Sequence, residues 1–380
     1  MKIALICGGV SSGGLYFLLS DIFCYAPDGD TEVTLFCSEE YIKPYKNINP
    51  KIKIQITEEL AESKLSSLLV NRYSSAFINF IEDYNPSAVF FISGSCKKGL
   101  EKYNTYIVLH NQLYLSYSKI IKQLDLKVAL CTMINAWHFN SNLKGLRHII
   151  YSSKFSKEDA IKKHKGIDST VIPLALNSKF HENLPETKND FENDIVHLLN
   201  IGSIIPYKNQ LVLIEALNIL RKKRIKFRAT FVGRIISKPY YYLCLYKIKK
   251  YGLFDSINFI PWVEASDVPS LIDSCDIYIN TSETDTCGTS IEEGMARCKP
   301  VIASNTLFNY EKISNCGLYY NLDSPEELAS AILQYLNDEN LRCNRALEGQ
   351  KKTKQWTLFE TAKAYYEYII NTTTNENTRI

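Results

Sequence analysis

A chain of 380 residues is longer than the ~150 of an ordinary domain, so two or three domains are expected. Apolar residues at 46% and charged residues at 22% exclude a disordered, collagen-like or acidic low-complexity chain. With 44 Lys and Arg against 41 Asp and Glu, the net charge of +3 argues against a dedicated nucleic-acid binder.

The first segment reads as strand, glycine turn and helix. A short apolar run at residues 2–7 precedes the loop Gly8-Gly9-Val10-Ser11-Ser12-Gly13-Gly14 and a helical stretch at 15–23. Apolar runs at 33–37, 88–92, 106–109 and 148–151 read as buried strands, with helical stretches at 65–84, 116–123 and 157–165 between them. Buried strands alternating with helices imply a mainly parallel sheet covered on both faces. The polar segment 177–194, with Pro185, reads as a linker. The pattern then restarts: strand 195–201, amphipathic helix 209–220, and strands at 227–232, 257–260, 276–280 and 300–303, each joined by a helix-length segment. A long helix at 357–370 follows, and the polar tail from 371 reads as frayed.

Eleven cysteines are scattered singly, with no CxxC pair and no Cys/His spacing of a zinc site. Several lie in apolar runs (Cys7, Cys24, Cys131, Cys275), where a free thiol packs as a small hydrophobe. A reducing compartment without disulfides is therefore expected. The apolar run after Met1 meets Gly8-Gly9 too soon for a signal peptide, and no run of 18 apolar residues suits a membrane span.

The most informative stretch runs from Ser282 to Ser304. A strand ends just before it, Gly288-Thr289-Ser290 opens a helix at 289–297, and Pro300-Val301-Ile302-Ala303 begins the next strand. A glycine turn opening a helix after a parallel strand presents backbone N–H groups and a positive dipole end, which suits a phosphate. Asp285 and Glu293 frame it. An acid beside a phosphate is repelled, so each should face neutral hydroxyls of a sugar or ribose. Read without context, Asp285 would cap the helix and Glu293 would lie on a solvated face.

This stretch resembles the signature of family-4-type retaining glycosyltransferases of the GT-B fold: an acid, seven residues, then Glu-Ala-Met-Ala and, a few residues on, Pro-Val-Ile-Ala-Ser. Here it reads Asp285, seven residues, Glu293-Gly294-Met295-Ala296-Arg297-Cys298-Lys299-Pro300-Val301-Ile302-Ala303-Ser304. The resemblance implies that Glu293 binds the nucleotide ribose, Asp285 the donor-sugar hydroxyls, and the N–H groups of Gly288, Thr289 and Ser290 the diphosphate. The first acid is Asp rather than the usual Glu, and Arg297-Cys298 stands where a small residue and Gly are common. Gly294 replaces the usual Ala, which costs a helix about 1 kcal/mol.

Further pieces match along most of the chain. In Leu199-Asn200-Ile201-Gly202-Ser203-Ile204-Ile205-Pro206-Tyr207-Lys208-Asn209, Lys208 matches the lysine that neutralises the leaving diphosphate, while Ser203 holds the place of the family's arginine. Lysine alone does not reproduce the bidentate fork of arginine, so Ser203 would donate one hydrogen bond instead or another cation such as Arg234 would reach in. Gly13 and Gly14 resemble the glycine pair after the first strand, where the backbone approaches the diphosphate and acceptor. His110, at the end of strand 106–109, stands where family members often carry a histidine beside the donor sugar. Ser153-Lys154-Phe155-Ser156, Val171-Ile172-Pro173 and Gln355-Trp356-Thr357 resemble other junctions, and the match is thin over residues 40–105.

The resemblance implies an α/β chain of GT-B fold, with two Rossmann-like domains facing across a cleft: an acceptor domain at 1–176, a nucleotide-sugar donor domain at 177–355, a helix at 356–371 returning to the first domain, and a frayed tail at 372–380. It implies a retaining, metal-independent hexosyltransferase in the cytoplasm. Lys208, Asp285 and His110 would carry the chemistry, and Gly13, Gly14, Ser203, Lys208, Gly288, Thr289, Ser290 and Glu293 would hold the donor. The donor is expected to be a UDP- or GDP-sugar, with no cofactor and no nucleic-acid partner. The acceptor is expected to be a glycan or lipid-linked saccharide of surface polysaccharide biosynthesis. The alternatives are a non-catalytic nucleotide-sugar binding protein and a GT-B nucleotide-sugar epimerase.

Two decoys need separate readings. Asp28-Gly29-Asp30 mimics an Asp-x-Asp metal motif but sits in a Pro-Asp-Gly-Asp turn. The basic run Arg221-Lys222-Lys223-Arg224 ends a helix, where cations complement the dipole; with Lys247, Lys249 and Lys250 it is also a candidate for peripheral membrane contact.

Overall fold

The computed structural model describes residues 1–7, 22–23, 25–43, 48–60, 72–92, 98–109, 120, 126–161, 163–184, 195–285 and 288–377. The chain divides into two compact units: residues 1–117, 130–175 and 356–380 in the first, and 118–129 and 176–355 in the second.

The first unit holds a seven-stranded sheet of β1 (Lys2–Cys7), β2 (Glu32–Cys37), β3 (Ile52–Ile56), β4 (Ala88–Phe91), β5 (Asn104–Leu109), β6 (His148–Tyr151) and β7 (Asp168–Val171). All neighbours pair in parallel in the order β3-β2-β1-β4-β5-β6-β7. The central strands are buried almost throughout, as their apolar runs require. Helices here are α1 (Ser75–Tyr84), α2 (Leu126–Asn142), which belongs to this unit from Leu130 on, and α3 (Lys154–Ile161). The helix expected over 65–84 starts only at Ser75 within the described residues, because Ser74 caps it by accepting from Phe77 N–H at 3.1 Å. The helix expected over 157–165 is shifted to Lys154–Ile161, where the Ser153 hydroxyl accepts from Ser156 N–H at 3.1 Å. The expected Asp28-Gly29-Asp30 turn is present, with Gly29 at φ 85°.

The second unit has six strands, β8 (Val196–Ile201), β9 (Phe227–Val232), β10 (Ile257–Ile260), β11 (Ile277–Asn280), β12 (Val301–Ser304) and β13 (Gly317–Tyr320). They pair in parallel in the order β10-β9-β8-β11-β12-β13. Its helices include α4 (Gln210–Lys222), α5 (Lys238–Tyr251), α6 (Val268–Asp273), α7 (Thr289–Ala296), α8 (Leu307–Ile313), α9 (Pro325–Asn337) and α10 (Glu339–Thr353). One apolar layer packs Leu213, Leu217 and Ile332 on Phe231 and Ile279. Another packs Ile291, Met295 and Ile313 on Tyr278 and Val301. The order reverses between β8 and β11, and ligands of open α/β sheets bind outside the carboxyl ends of the strands at such a point.

The segment expected to be a linker is partly built into the second unit. Ser178–His181 form a 3-10 turn whose Phe180 is buried with Ile272 and Met295. Residues 185–194 lie outside the described residues.

The last helix, α11 (Leu358–Asn377), belongs to the first unit. It runs past Ile370, so the expected fraying at 371 is corrected. Thr373 is fully buried, and the Tyr106 hydroxyl on β5 bonds Thr372 Oγ1 at 2.7 Å and Thr373 Oγ1 at 2.9 Å. Polar threonines are helical here because a buried tyrosine needs partners. Trp356 Nε1 donates to the Pro173 carbonyl at 3.1 Å, and the Tyr366 hydroxyl donates to the Ile22 carbonyl at 3.2 Å. The described cysteines are free thiols, and burial pushes Cys7 and Cys275 up to about 12.

Candidate donor site at the switch point of the second sheet

Two loops flank the reversal between β8 and β11. After β8 the chain passes Gly202 and Ser203 and tightens into a 3-10 turn at Pro206–Lys208. Asn209 then adopts a left-handed conformation, φ 49°, which sends the chain into α4. After β11 the chain runs through residues 281–285 to Gly288 and α7. Side chain and backbone fasten the two loops together. Thr281 Oγ1 donates to the Lys208 carbonyl at 2.6 Å, and Glu283 N–H donates to the Tyr207 carbonyl at 2.9 Å. From β8, Asn200 Nδ2 donates to the Ile279 carbonyl at 2.8 Å, which holds the strand ends in register.

These fastenings bring the expected charged residues together. Lys208 Nζ lies 2.7 Å from Asp285 Oδ2, with both side chains largely covered. Asp285 Oδ1 also accepts a long bond, 3.5 Å, from Gly288 N–H. Asp285 thus faces the helix start as the cap reading expected, and it also holds the cation, which was not expected. The Ser203 carbonyl accepts from Gln210 Nε2 at 3.0 Å, next to the same turn. The Ile204 N–H donates to the Arg234 carbonyl at 2.9 Å, so Arg234 sits beside Ser203 in the backbone. Its guanidinium stacks 4.3 Å from the centre of the Trp262 ring.

Gly288 is the N-cap of α7 in the left-handed conformation, φ 60°. A Cβ there would lie 2.1 Å from Phe308 Cζ, so both the backbone and the packing call for glycine. The first-turn N–H groups of Thr289 and Ser290 have no acceptor within the helix, which leaves them for an anion.

Two adjacent glutamates of α7 have opposite settings. Glu292 pairs with Lys312 Nζ on α8 at 3.0 Å, both covered. Burial pushes its carboxyl up and the Lys312 charge opposes that. Glu293 is 9% exposed, and no hydrogen bond or ion pair to its carboxylate exists among the described residues. Burial, then the charges of Glu292 and Asp285, push it up to about 7.

Three features escaped sequence reasoning. Tyr278 lies fully buried against α7, and a Cβ at Gly294 would fall 2.7 Å from its Cγ. The glycine that weakens the helix on propensity makes room for this ring. Gly294→Ala is therefore expected to destabilise the protein by about 1–3 kcal/mol despite the propensity gain, because the ring cannot retreat. Thermal denaturation checks it, and a raised melting temperature would show that propensity outweighs the contact. Arg297 is buried, and its Nε donates to Asp273 Oδ1 at 2.7 Å while NH2 donates to the Asn183 carbonyl at 2.9 Å. It clasps the 182–183 segment to α6, which explains a large residue where small ones are common. That departure was the available signal. The third is the Trp262 platform under Arg234, which carries no signal in sequence spacing.

Of the other expected site residues, His110, Gly13 and Gly14 lie outside the described residues. Among the described residues no group of three or more His, Cys, Asp or Glu could hold a metal ion, and no helix is long and apolar enough to cross a membrane.

Residues 182–352 match the family described as Glycosyl transferases group 1. No curated protein sequence matches the chain significantly. Among solved structures, HepE of Anabaena in complex with UDP-glucose is 18% identical with a TM-score of 0.73, covering 98% of this chain and 100% of its own. Sucrose-phosphate synthase of Thermosynechococcus elongatus is 16% identical with a TM-score of 0.73, covering 98% and 99%. WaaG, a glycosyltransferase involved in lipopolysaccharide biosynthesis, is 16% identical with a TM-score of 0.69, covering 97% and 99%. At these identities the likeness shows the fold, and the two Rossmann-like parallel sheets are those of the expected GT-B architecture.

Proposed function

We propose that the chain is a retaining glycosyltransferase that moves a hexosyl group from a UDP- or GDP-sugar to a glycan or lipid-linked saccharide. The observation that carries this reading is Glu293. It is a buried carboxylate without a protein donor, one turn inside a helix whose free N–H groups and neighbouring Lys208 suit a diphosphate. A buried charge needs hydrogen bonds, and a pair of ribose hydroxyls supplies two. The complexes of HepE with UDP-glucose favour UDP as the nucleotide.

In the reaction, the bond from the sugar anomeric carbon to the diphosphate oxygen breaks and a bond to the acceptor oxygen forms. The departing phosphate oxygen takes the acceptor proton. Lys208, the Gly288–Ser290 N–H groups and, in place of the missing arginine, Arg234 stabilise the charge that develops on the diphosphate. Asp285 keeps Lys208 paired until the donor arrives and then turns to the sugar hydroxyls. His110 contacts the donor sugar, and Gly13 and Gly14 let the backbone approach the diphosphate. The electrostatic work falls to these groups without a metal. We place the chain in the cytoplasm, with a membrane-borne acceptor of surface polysaccharide synthesis. The fold likeness to WaaG is compatible with that setting.

The test is a thermal-shift screen of the purified protein against UDP-, GDP-, ADP- and dTDP-sugars, followed by assay of nucleotide release with glycan acceptors. One nucleotide-sugar class should raise the melting temperature, by an amount that grows with concentration. A flat response to all four would overturn the reading, and binding with no transfer to any acceptor would leave a binding protein.

A further inference from the structure

Residues 221–251 contain eleven Lys and Arg and no Asp or Glu, although the whole chain carries only +3. The near-neutral total therefore conceals one strongly cationic segment in an otherwise acidic chain. The structure gathers six of the eleven at one place. Helices α4 and α5 pack side by side as successive crossovers between parallel strands, so they run in the same direction. Their C-terminal ends lie together at the end of the sheet opposite the donor site.

Arg221, Lys222, Lys223 and Arg224 are exposed at the end of α4, and Lys249 and Lys250 are exposed at the end of α5. None of these six makes an ion pair among the described residues. Lys247 differs, being held by Glu215 Oε1 at 2.7 Å. The acids on neighbouring elements are Asp255 after α5 and Asp338 and Glu339 at the end of α9, too few to neutralise the patch. Aromatic side chains stand in the same surface. Tyr242 and Tyr246, one turn apart on α5 and in line with Lys249 and Lys250, are 63% and 59% exposed, and Phe254 just beyond is 57% exposed.

We propose that this face docks on an anionic bilayer surface. Six unpaired cations offer complementary charge to acidic headgroups. Tyrosines with an apolar ring and a polar tip suit the headgroup level, and Phe254 suits the acyl boundary beneath it. Docked in this way, the carboxyl ends of the second sheet face away from the lipid and stay open to donor. The proposal stands on this surface and does not depend on the donor-site reading.

The experiment is co-sedimentation of the full chain with phosphatidylcholine vesicles, with and without about one-third phosphatidylglycerol, at low and high salt. Three proteins are compared: the native chain, K222Q/K223Q/K249Q/K250Q and Y242S/Y246S. All the altered side chains are exposed, so melting temperatures should match. The native chain should bind the phosphatidylglycerol vesicles and not the phosphatidylcholine ones. The lysine variant should lose at least about tenfold of that binding. The tyrosine variant should lose several-fold, most visibly at high salt, where charge is screened. Equal binding to both vesicles, no binding to either, or full binding by the lysine variant would overturn the proposal. Tighter capture of a single-stranded RNA than of the anionic vesicles would assign the patch to nucleic acid instead.

Discussion

Lys208→Ala is expected to lower the rate of transfer at saturating donor by about 10²- to 10⁴-fold, while the melting temperature moves little. The two effects separate because Lys208 has different partners in the two situations. Without donor it is paired with Asp285, beside the Tyr207 ring, at the mouth of the sheet where solvent still reaches in part. Such a pair contributes about 1 kcal/mol or less. With donor it would face a leaving diphosphate whose charge grows as the glycosidic bond breaks, and an interaction that strengthens in the transition state acts on kcat. Arg234→Ala should cost less, about tenfold, since its guanidinium is already engaged by Trp262. Steady-state nucleotide release measures both. Wild-type rates in Lys208→Ala would remove this lysine from the chemistry, and with it the electrostatic account of the site.

Glu293→Gln is expected to abolish donor binding and, at alkaline pH, to stabilise the free protein by about 3 kcal/mol. Burial raises the Glu293 carboxyl to about 7 in the folded chain, above the 4.5 of an unperturbed side chain. Between these two values the unfolded chain has released the proton and the folded chain still holds it. Stability attributable to this group is therefore complete below about pH 4.5, falls as pH rises towards 7, and is constant above that. The neutral glutamine escapes the loss. Donor affinity should show the opposite trend. Ribose hydroxyls donate to the charged carboxylate, so binding takes up the ionised form and should weaken up to tenfold per pH unit as pH falls below about 7. Calorimetric titration with the nucleotide across pH measures the affinity and the proton released. Affinity independent of pH from 5 to 8 would show that Glu293 does not hold the nucleotide.

Interior strands were legible in the sequence, and of the four edge strands only β10 was. β1, β4, β5, β8 and β11 are buried on both faces and read as unbroken apolar runs. β3, β7 and β13 sit at sheet edges and carry polar or small residues. In β3, the exposed Ile54 and Ile56 alternate with Lys53 and Gln55, which breaks the run. At the site, Gly288 was legible as a glycine turn opening a helix, while Lys208, Asp285 and Glu293 were singled out by the resemblance of their stretches to a family signature. The Lys208–Asp285 contact itself joins residues far apart in sequence and depends on the Thr281 and Glu283 fastenings. Tyr278 with Gly294 and Arg297 with Asp273 are likewise partnerships formed only on folding.

The placement of α11 has a bearing on how the chain is made. Apart from residues 118–129, the second unit is one continuous stretch, so its sheet can close as soon as residue 355 leaves the ribosome. The first unit is begun earlier yet lacks the partners of Tyr106 and the cover over Ile22 until α11 has emerged. Synthesis runs at about 5–20 residues per second and domains generally fold as units. The half translated first is thus the half that is finished last, and its sheet is sealed only after the whole second unit has been made.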